Sequence, residues 1–150
     1  MNRKKWLSNG WIRGFSLLEG MIALAILAVM LAVASTSFLT LAPKYRLKSA
    51  VWEITSCLNY ARYKAIFEGT KVRIRFKTSS YIIEKYDDEQ KEWKKERVYF
   101  INGIAIQANN SPIFHPGGTV SDLASISISN SWGRYRITLA ISGRIKTVPF

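Results

Sequence analysis

Cysteine occurs once in the 150 residues, as Cys57, and histidine once, as His115. A single thiol excludes an intramolecular disulfide and a cysteine-based zinc site, and a single imidazole excludes a His-rich metal centre. Also lacking are a Gly-rich phosphate loop, a nucleophile elbow and a zinc-protease helix motif. With no catalytic pair to name, the chain reads as a protein that is not an enzyme and needs neither cofactor nor metal. Acids are scarce as well: 10 Asp and Glu stand against 22 Lys and Arg, for a formal charge of +12. Apolar side chains, by contrast, make up 48% of the chain and are unevenly placed. Between Phe15 and Ala42 they fill 21 of 28 positions, and the remainder has an ordinary globular composition. The chain therefore reads as a hydrophobic segment attached to one basic globular domain.

Residues 1–14 carry Arg3, Lys4, Lys5 and Arg13 with no acid, directly before the apolar run. From Gly20 to Ala42 there are 23 residues without a charge, and a helix of that length spans roughly the 30 Å of a hydrocarbon core. A cleaved secretory signal would end sooner, at a small-residue site, whereas this segment runs on through Ser35, Thr36 and Ser37 to Phe38 and Leu39. A single-pass anchor is expected, with the basic head in the cytoplasm. Lys44, Arg46 and Lys48 beyond the far end weaken the charge asymmetry, but a long C-terminal domain is translocated largely regardless of its charge. Glu19 is the exception inside this segment. An ionisable group there marks either a function or a carboxylate solvated at the headgroup level.

The run Arg13-Gly14-Phe15-Ser16-Leu17-Leu18-Glu19 resembles the processing site of type IV prepilins and of type II secretion pseudopilins. The resemblance implies that a prepilin peptidase cuts between Gly14 and Phe15 and that the new amino group of Phe15 is methylated. It also implies that Glu19 accepts the amino terminus of a neighbouring subunit. Pairing those two charges would relieve the cost of both in an apolar filament core. Ala25, Ala28, Ala32 and Ser35 form a small-residue stripe that lets such helices approach closely, although an Ala-rich anchor produces such stripes by chance too.

Pro43 is expected to kink the helix or to start its second half. Leu47, Val51, Ile54, Leu58, Ala61 and Ala65 then recur at spacings of four and three, which predicts an amphipathic helix over 43–69 that ends on Gly69. Cys57 reads as a small buried hydrophobe on it. Past Gly69 the period changes to two. Strands are expected at 71–76, 81–86, 97–101, 104–106, 126–128, 135–141 and 144–148, with a hairpin across Asp87 to Glu92. The expected fold class is α+β, pilin-like: a long N-terminal helix packed on small antiparallel β-sheets. Its parts are a leader, 1–14, a membrane and filament-core helix, 15–42, its amphipathic upper half, 43–69, and a periplasmic β-domain, 70–150.

Three polar groups in the β-region each have two readings. Asp87, Asp88, Glu89 and Glu92 read as a solvated turn or a calcium site without its loop glycine. His115 reads as a turn residue or a lone catalytic base. Arg73, Arg75 and Lys77, with Arg134, Arg136, Arg144 and Lys146, read as a solvated sheet face or a phosphate-binding surface. The C-terminal run Ile137 to Ile141 followed by Ser142-Gly143-Arg144-Ile145 is similar to the end of the GspH/FimT domain. Some FimT-like minor pilins bind DNA through Gly-Arg-x-Arg. Here the run is Gly143-Arg144-Ile145-Lys146, in which the last residue keeps the charge but loses the bidentate fork.

Two functions follow from these resemblances. One is a GspH-like minor pseudopilin in a type II secretion pseudopilus, with other pilins and an inner-membrane assembly platform as partners. The other is a minor pilin that binds DNA during natural transformation. Removal of the leader's cations leaves 18 against 10 acids, so the basic excess survives processing as +8.

Overall fold

The structure, a computed structural model, describes residues 15–150, with backbone only over 35–40. The leader and Gly14 lie outside the described residues, as does the side chain of Ser35. The chain divides into two compact units, Met1–Leu39 and Thr40–Phe150. Helix α1 spans Leu17–Glu68 as one element that contains Pro43 and does not restart there, although the proline donates no hydrogen bond. The carbonyl of Pro43 also accepts a hydrogen bond from Asn130 Nδ2, at 2.7 Å.

In the first unit, Leu17–Ala34 is an 18-residue window of mean hydropathy 2.5, and none of it is buried. In the second, the six-residue stripe read from the sequence is the buried face of α1. Leu47, Ile54, Leu58, Ala61 and Ala65 have no exposed surface, and Val51 and Ala50 are buried beside them. Each fully buried Leu or Ile on this face contributes about 1.5–3 kcal/mol of transfer free energy. The helix ends at Gly69, whose φ of 64° is the left-handed value a C-cap requires.

Nine strands follow among the described residues: β1 Val72–Lys77, β2 Ser80–Asp87, β3 Glu92–Phe100, β4 Ala105–Ala108, β5 Ile113–Phe114, β6 Val120–Ser121, β7 Ser125–Ser129, β8 Arg134–Leu139 and β9 Ile145–Pro149. They form one sheet in the order β3-β2-β1-β5-β6 and another in the order β4-β7-β8-β9, with every pairing antiparallel. The expected hairpin is present with a shorter turn, because β3 begins at Glu92. Asp87 Oδ1 accepts the amides of Glu89 and Gln90 to close it. The two-residue strands β5 and β6 were not expected from the sequence, since two residues show no alternation.

Alternation decides which side chains enter the core. In β1, Val72 and Ile74 point inward, and in β7 the run Ser-Ile-Ser-Ile-Ser sends Ile126 and Ile128 inward and its serines outward. These residues, with Tyr81, Ile83, Phe114, Ile137 and Leu139, close one core against α1. At the helix end, Lys64 reaches Glu96 of β3 at 2.7 Å and Lys85 of β2 reaches Glu68 at 2.8 Å.

Candidate functional site

The start of α1 is built as a cap. Ser16 Oγ accepts the amide of Leu18 at 3.2 Å, and Glu19 stands in the first turn. Ser16-Leu17-Leu18-Glu19 has the spacing of a capping box, and an acid in the first turn complements the positive end of the helix dipole. Phe15 precedes the cap and is exposed, as is Glu19. Among the described residues no ion pair reaches Glu19. The aliphatic side chains from Leu17 to Val33 are exposed, and Ala25, Ala28 and Ala32 lie in the same exposed stretch.

The second group of residues gathers on the β4-β7-β8-β9 sheet. Arg134 and Arg136 alternate with the inward-facing Ile137 and Leu139, so they stand on its outer face. The β8–β9 register sets Arg136 opposite Val148 and Thr138 opposite Lys146, and Ala140 bonds the carbonyl of Arg144 at 2.9 Å. Arg134, Arg136 and Lys146 therefore share one face, beside the outward serines of β7, and Arg144 is exposed just before β9. No Asp or Glu occurs in β4, β7, β8 or β9. The Arg136 guanidinium lies 4.1 Å from the ring centroid of Phe150.

Arg73 and Arg75 differ from both sequence readings, being neither a free phosphate surface nor merely solvated. Register places Arg73 directly opposite Glu84, which is 1% exposed. Arg73 Nε donates to Glu84 Oε2 at 2.8 Å, and Arg75 Nη2 donates to the same oxygen at 3.1 Å. The Arg73 guanidinium also lies 4.2 Å from the Trp93 ring. A carboxylate shielded from water needs compensating charge, and it takes these two arginines. Of that trio only Lys77 remains on the exposed strand face without a partner of this kind among the described residues.

Arg62 is a residue that sequence reasoning missed. It lies on the half-buried flank of α1, and its Nε donates to the carbonyl of Gly118 at 3.0 Å. A Cβ on Gly143 would sit 2.6 Å from that Nε and 2.8 Å from Cζ. The glycine of the Gly-Arg run is thus a seat for a helix side chain, and its φ of 77° independently favours glycine. No sequence signal links residues so far apart in the chain.

The remaining polar groups take their structural roles. Asp87 contacts Lys94 within the hairpin, and no cluster of metal-ligating side chains is found among the described residues. His115 Nε2 is 2.8 Å from Ser121 Oγ, and its amide bonds Thr119 across the turn. Cys57 packs against the core next to Tyr81 and Glu53. Burial pushes its thiol up to about 12, against a smaller opposing effect of the Tyr81 hydroxyl, with Glu53 adding to the rise. Tyr81 donates to Glu53 Oε1 at 2.9 Å.

Comparison with known proteins agrees with this geometry. Residues 12–35 match the family model for the prokaryotic N-terminal methylation motif. No curated protein matches the chain. Among solved structures, the minor pseudopilin EpsH from the type 2 secretion system of Vibrio cholerae superposes with a TM-score of 0.60 at 15% identity, over 69% of this chain and 97% of that one. The type IV minor pilin FimU of Pseudomonas aeruginosa superposes with a TM-score of 0.57 at 17% identity, over 71% of this chain and 90% of that one. The chain thus carries a prepilin-type N-terminal methylation motif on a type IV pilin-like α+β fold.

Proposed function

We propose that the chain is a GspH-like minor pseudopilin, a non-enzymatic structural subunit of a type II secretion pseudopilus that takes part in protein export. The observation that carries this reading is the joining of a methylation motif to an exposed apolar helix and a pilin-like domain in one chain. In this reading the precursor spans the inner membrane once, with its leader in the cytoplasm and its β-domain in the periplasm. Prepilin peptidase cuts between Gly14 and Phe15, the amino group of Phe15 is methylated, and an inner-membrane assembly platform moves the subunit into the filament. Glu19 takes the amino terminus of a neighbour, a pairing that its exposure in the first turn of α1 leaves open. The helices bearing Ala25, Ala28, Ala32 and Ser35 pack as the filament core. Glu19→Ala is expected to leave leader cleavage intact and to abolish incorporation. Normal incorporation of that variant would sink the pairing mechanism.

A second reading, a minor pilin that binds DNA, draws on the outer face of the β4-β7-β8-β9 sheet. Arg134, Arg136 and Lys146 stand there on strands without a single acid, and Arg144 directly precedes β9. Such a face suits phosphate contacts that carry no sequence preference.

A further inference from the structure

The turn between β7 and β8 holds an exposed tryptophan against the part of α1 that follows the apolar segment. Asn130 builds this turn. Its Oδ1 accepts the amides of Trp132 and Gly133 at 2.9 and 3.3 Å, and its own amide donates to the carbonyl of Gly133 at 3.0 Å. Its Nδ2 donates to the carbonyl of Pro43, 87 residues away in the chain, and so clips the turn to the helix. Gly133 lies over Leu47, whose Cδ2 would be 4.0 Å from a Cβ at that position. None of these contacts uses the indole. The Trp132 side chain is 46% exposed, with Lys44 Nζ 5.4 Å from its ring centroid. Leu41, 45% exposed, and the exposed Lys48 stand on the same side of the helix as Lys44, at spacings of three and four residues. Arg134 follows the turn as the first residue of β8 and is exposed. No acid occurs between Glu19 and Glu53 or after Asp122.

We infer that this end of the β-domain is a contact site for anionic phospholipid headgroups, with Trp132 seated at the interface and Lys44, Lys48 and Arg134 on the phosphates. The inference rests on the single-pass anchor of the proposed function and deepens it, because it gives the domain of the membrane-bound precursor a resting surface. The uncharged run ends at Ala42, and Lys44 is two residues further on, so the chain holds it within about 7 Å of the end of that run. The clip at Pro43 keeps Trp132 at the same level as Lys44. An indole has an apolar body and one polar N–H, which suits the boundary between hydrocarbon and water. Lysine and arginine beside it meet lipid phosphates, and each cation near an anionic leaflet strengthens the contact roughly fivefold. A nucleic acid duplex would use the cations but leave Leu41 and the indole without a role, whereas a headgroup layer over hydrocarbon takes all of them.

The test uses the full chain reconstituted in vesicles. In a Cys57→Ser background, Ser131→Cys carries an environment-sensitive fluorophore beside Trp132, and Asp88→Cys carries it in the β2–β3 hairpin as a control. One set of vesicles holds phosphatidylethanolamine and phosphatidylglycerol in equal parts with a headgroup nitroxide as quencher. A second set has phosphatidylcholine in place of phosphatidylglycerol. The Ser131→Cys label is expected to be quenched at least twofold more in the anionic vesicles, and the Asp88→Cys label equally little in both. Trp132→Ser, and separately Lys44→Gln with Arg134→Gln, are each expected to halve the quenching at least, with an unchanged melting temperature. Equal quenching of the Ser131→Cys label in both vesicle types, or quenching that neither variant lowers, overturns the contact. A response of that label to added duplex DNA with none to anionic lipid assigns the turn to nucleic acid and also overturns it. Alkaline extraction separates the two readings. A chain retained in the vesicles without the expected quenching leaves the anchor standing, and a chain released by the alkaline wash takes both down.

Discussion

The guanidinium of Arg62 occupies the space that a side chain on Gly143 would need, 2.6 Å from its missing Cβ, while its Nε–H donates to the carbonyl of Gly118. One helix residue thereby fixes two glycine turns of the β-domain. Gly143→Ala is expected to destabilise the chain by about 2 kcal/mol, through the collision with Arg62 and the strain of a non-glycine residue at positive φ. In an Arg62→Ala background the collision disappears and about 1 kcal/mol of strain remains. Denaturation of the two single variants and the double variant measures that non-additivity.

Removal of the carboxylate that Arg73 and Arg75 share should also register in stability. Glu84→Gln leaves two guanidinium groups with a neutral amide oxygen in place of their shared carboxylate, and Arg75 can turn back to water more readily because its side chain is 44% exposed. The expected loss is about 2 kcal/mol, below the ~3–5 kcal/mol of a fully buried pair. A urea midpoint that falls while the slope stays constant checks this.

Cys57 is expected to be alkylated slowly at pH 8 in the folded chain, because a thiol raised to about 12 is almost wholly protonated there. Its folded value of about 12 lies above the unfolded thiol value of about 8.5. The folded state therefore holds this proton more tightly. The resulting stability is fully present below the unfolded value and is lost as pH rises through the folded one. Denaturation midpoints between pH 8 and 11 should fall, and Cys57→Ala should reduce the slope. Tyr81, raised by burial first and by Cys57 and Glu53 after it, adds a contribution of the same sign.

On the DNA reading, Arg144→Ala and Arg136→Ala should each weaken binding to unrelated duplexes by a similar factor. Each should also reduce the slope of affinity against salt by about one phosphate contact. Fluorescence anisotropy over a salt series measures both effects. No binding by the unsubstituted chain at low salt removes that reading.

The parts of the fold legible in the sequence were those written in a local period. The stripe from Leu47 to Ala65 and the alternation of Val72, Ile74 and Phe76 each encode an inward face within a few turns or residues, and the structure reproduces both, with Phe76 half-buried at the core's edge. Contacts that depend on register or chain return had no such signal. Glu84 meets Arg73 across a hairpin, and Arg62 meets Gly118 from 56 residues away. The seven residues from Arg13 to Glu19 pointed to processing by resemblance, whereas the hydrogen bond from Leu18 to Ser16 required coordinates.

That bond separates two operations at the amino end of α1. A cut after Gly14 leaves Phe15 as the only residue ahead of Ser16, so the cap that starts the helix belongs to the product and is not spent in making it. The new amino cation would then stand at the positive end of the helix dipole, where it is disfavoured. On the proposed processing, Glu19, one turn in, would supply the opposing charge within the same chain until a neighbour's terminus competed for it. Such a cut would change the electrostatics at the end of the helix without altering how the helix begins.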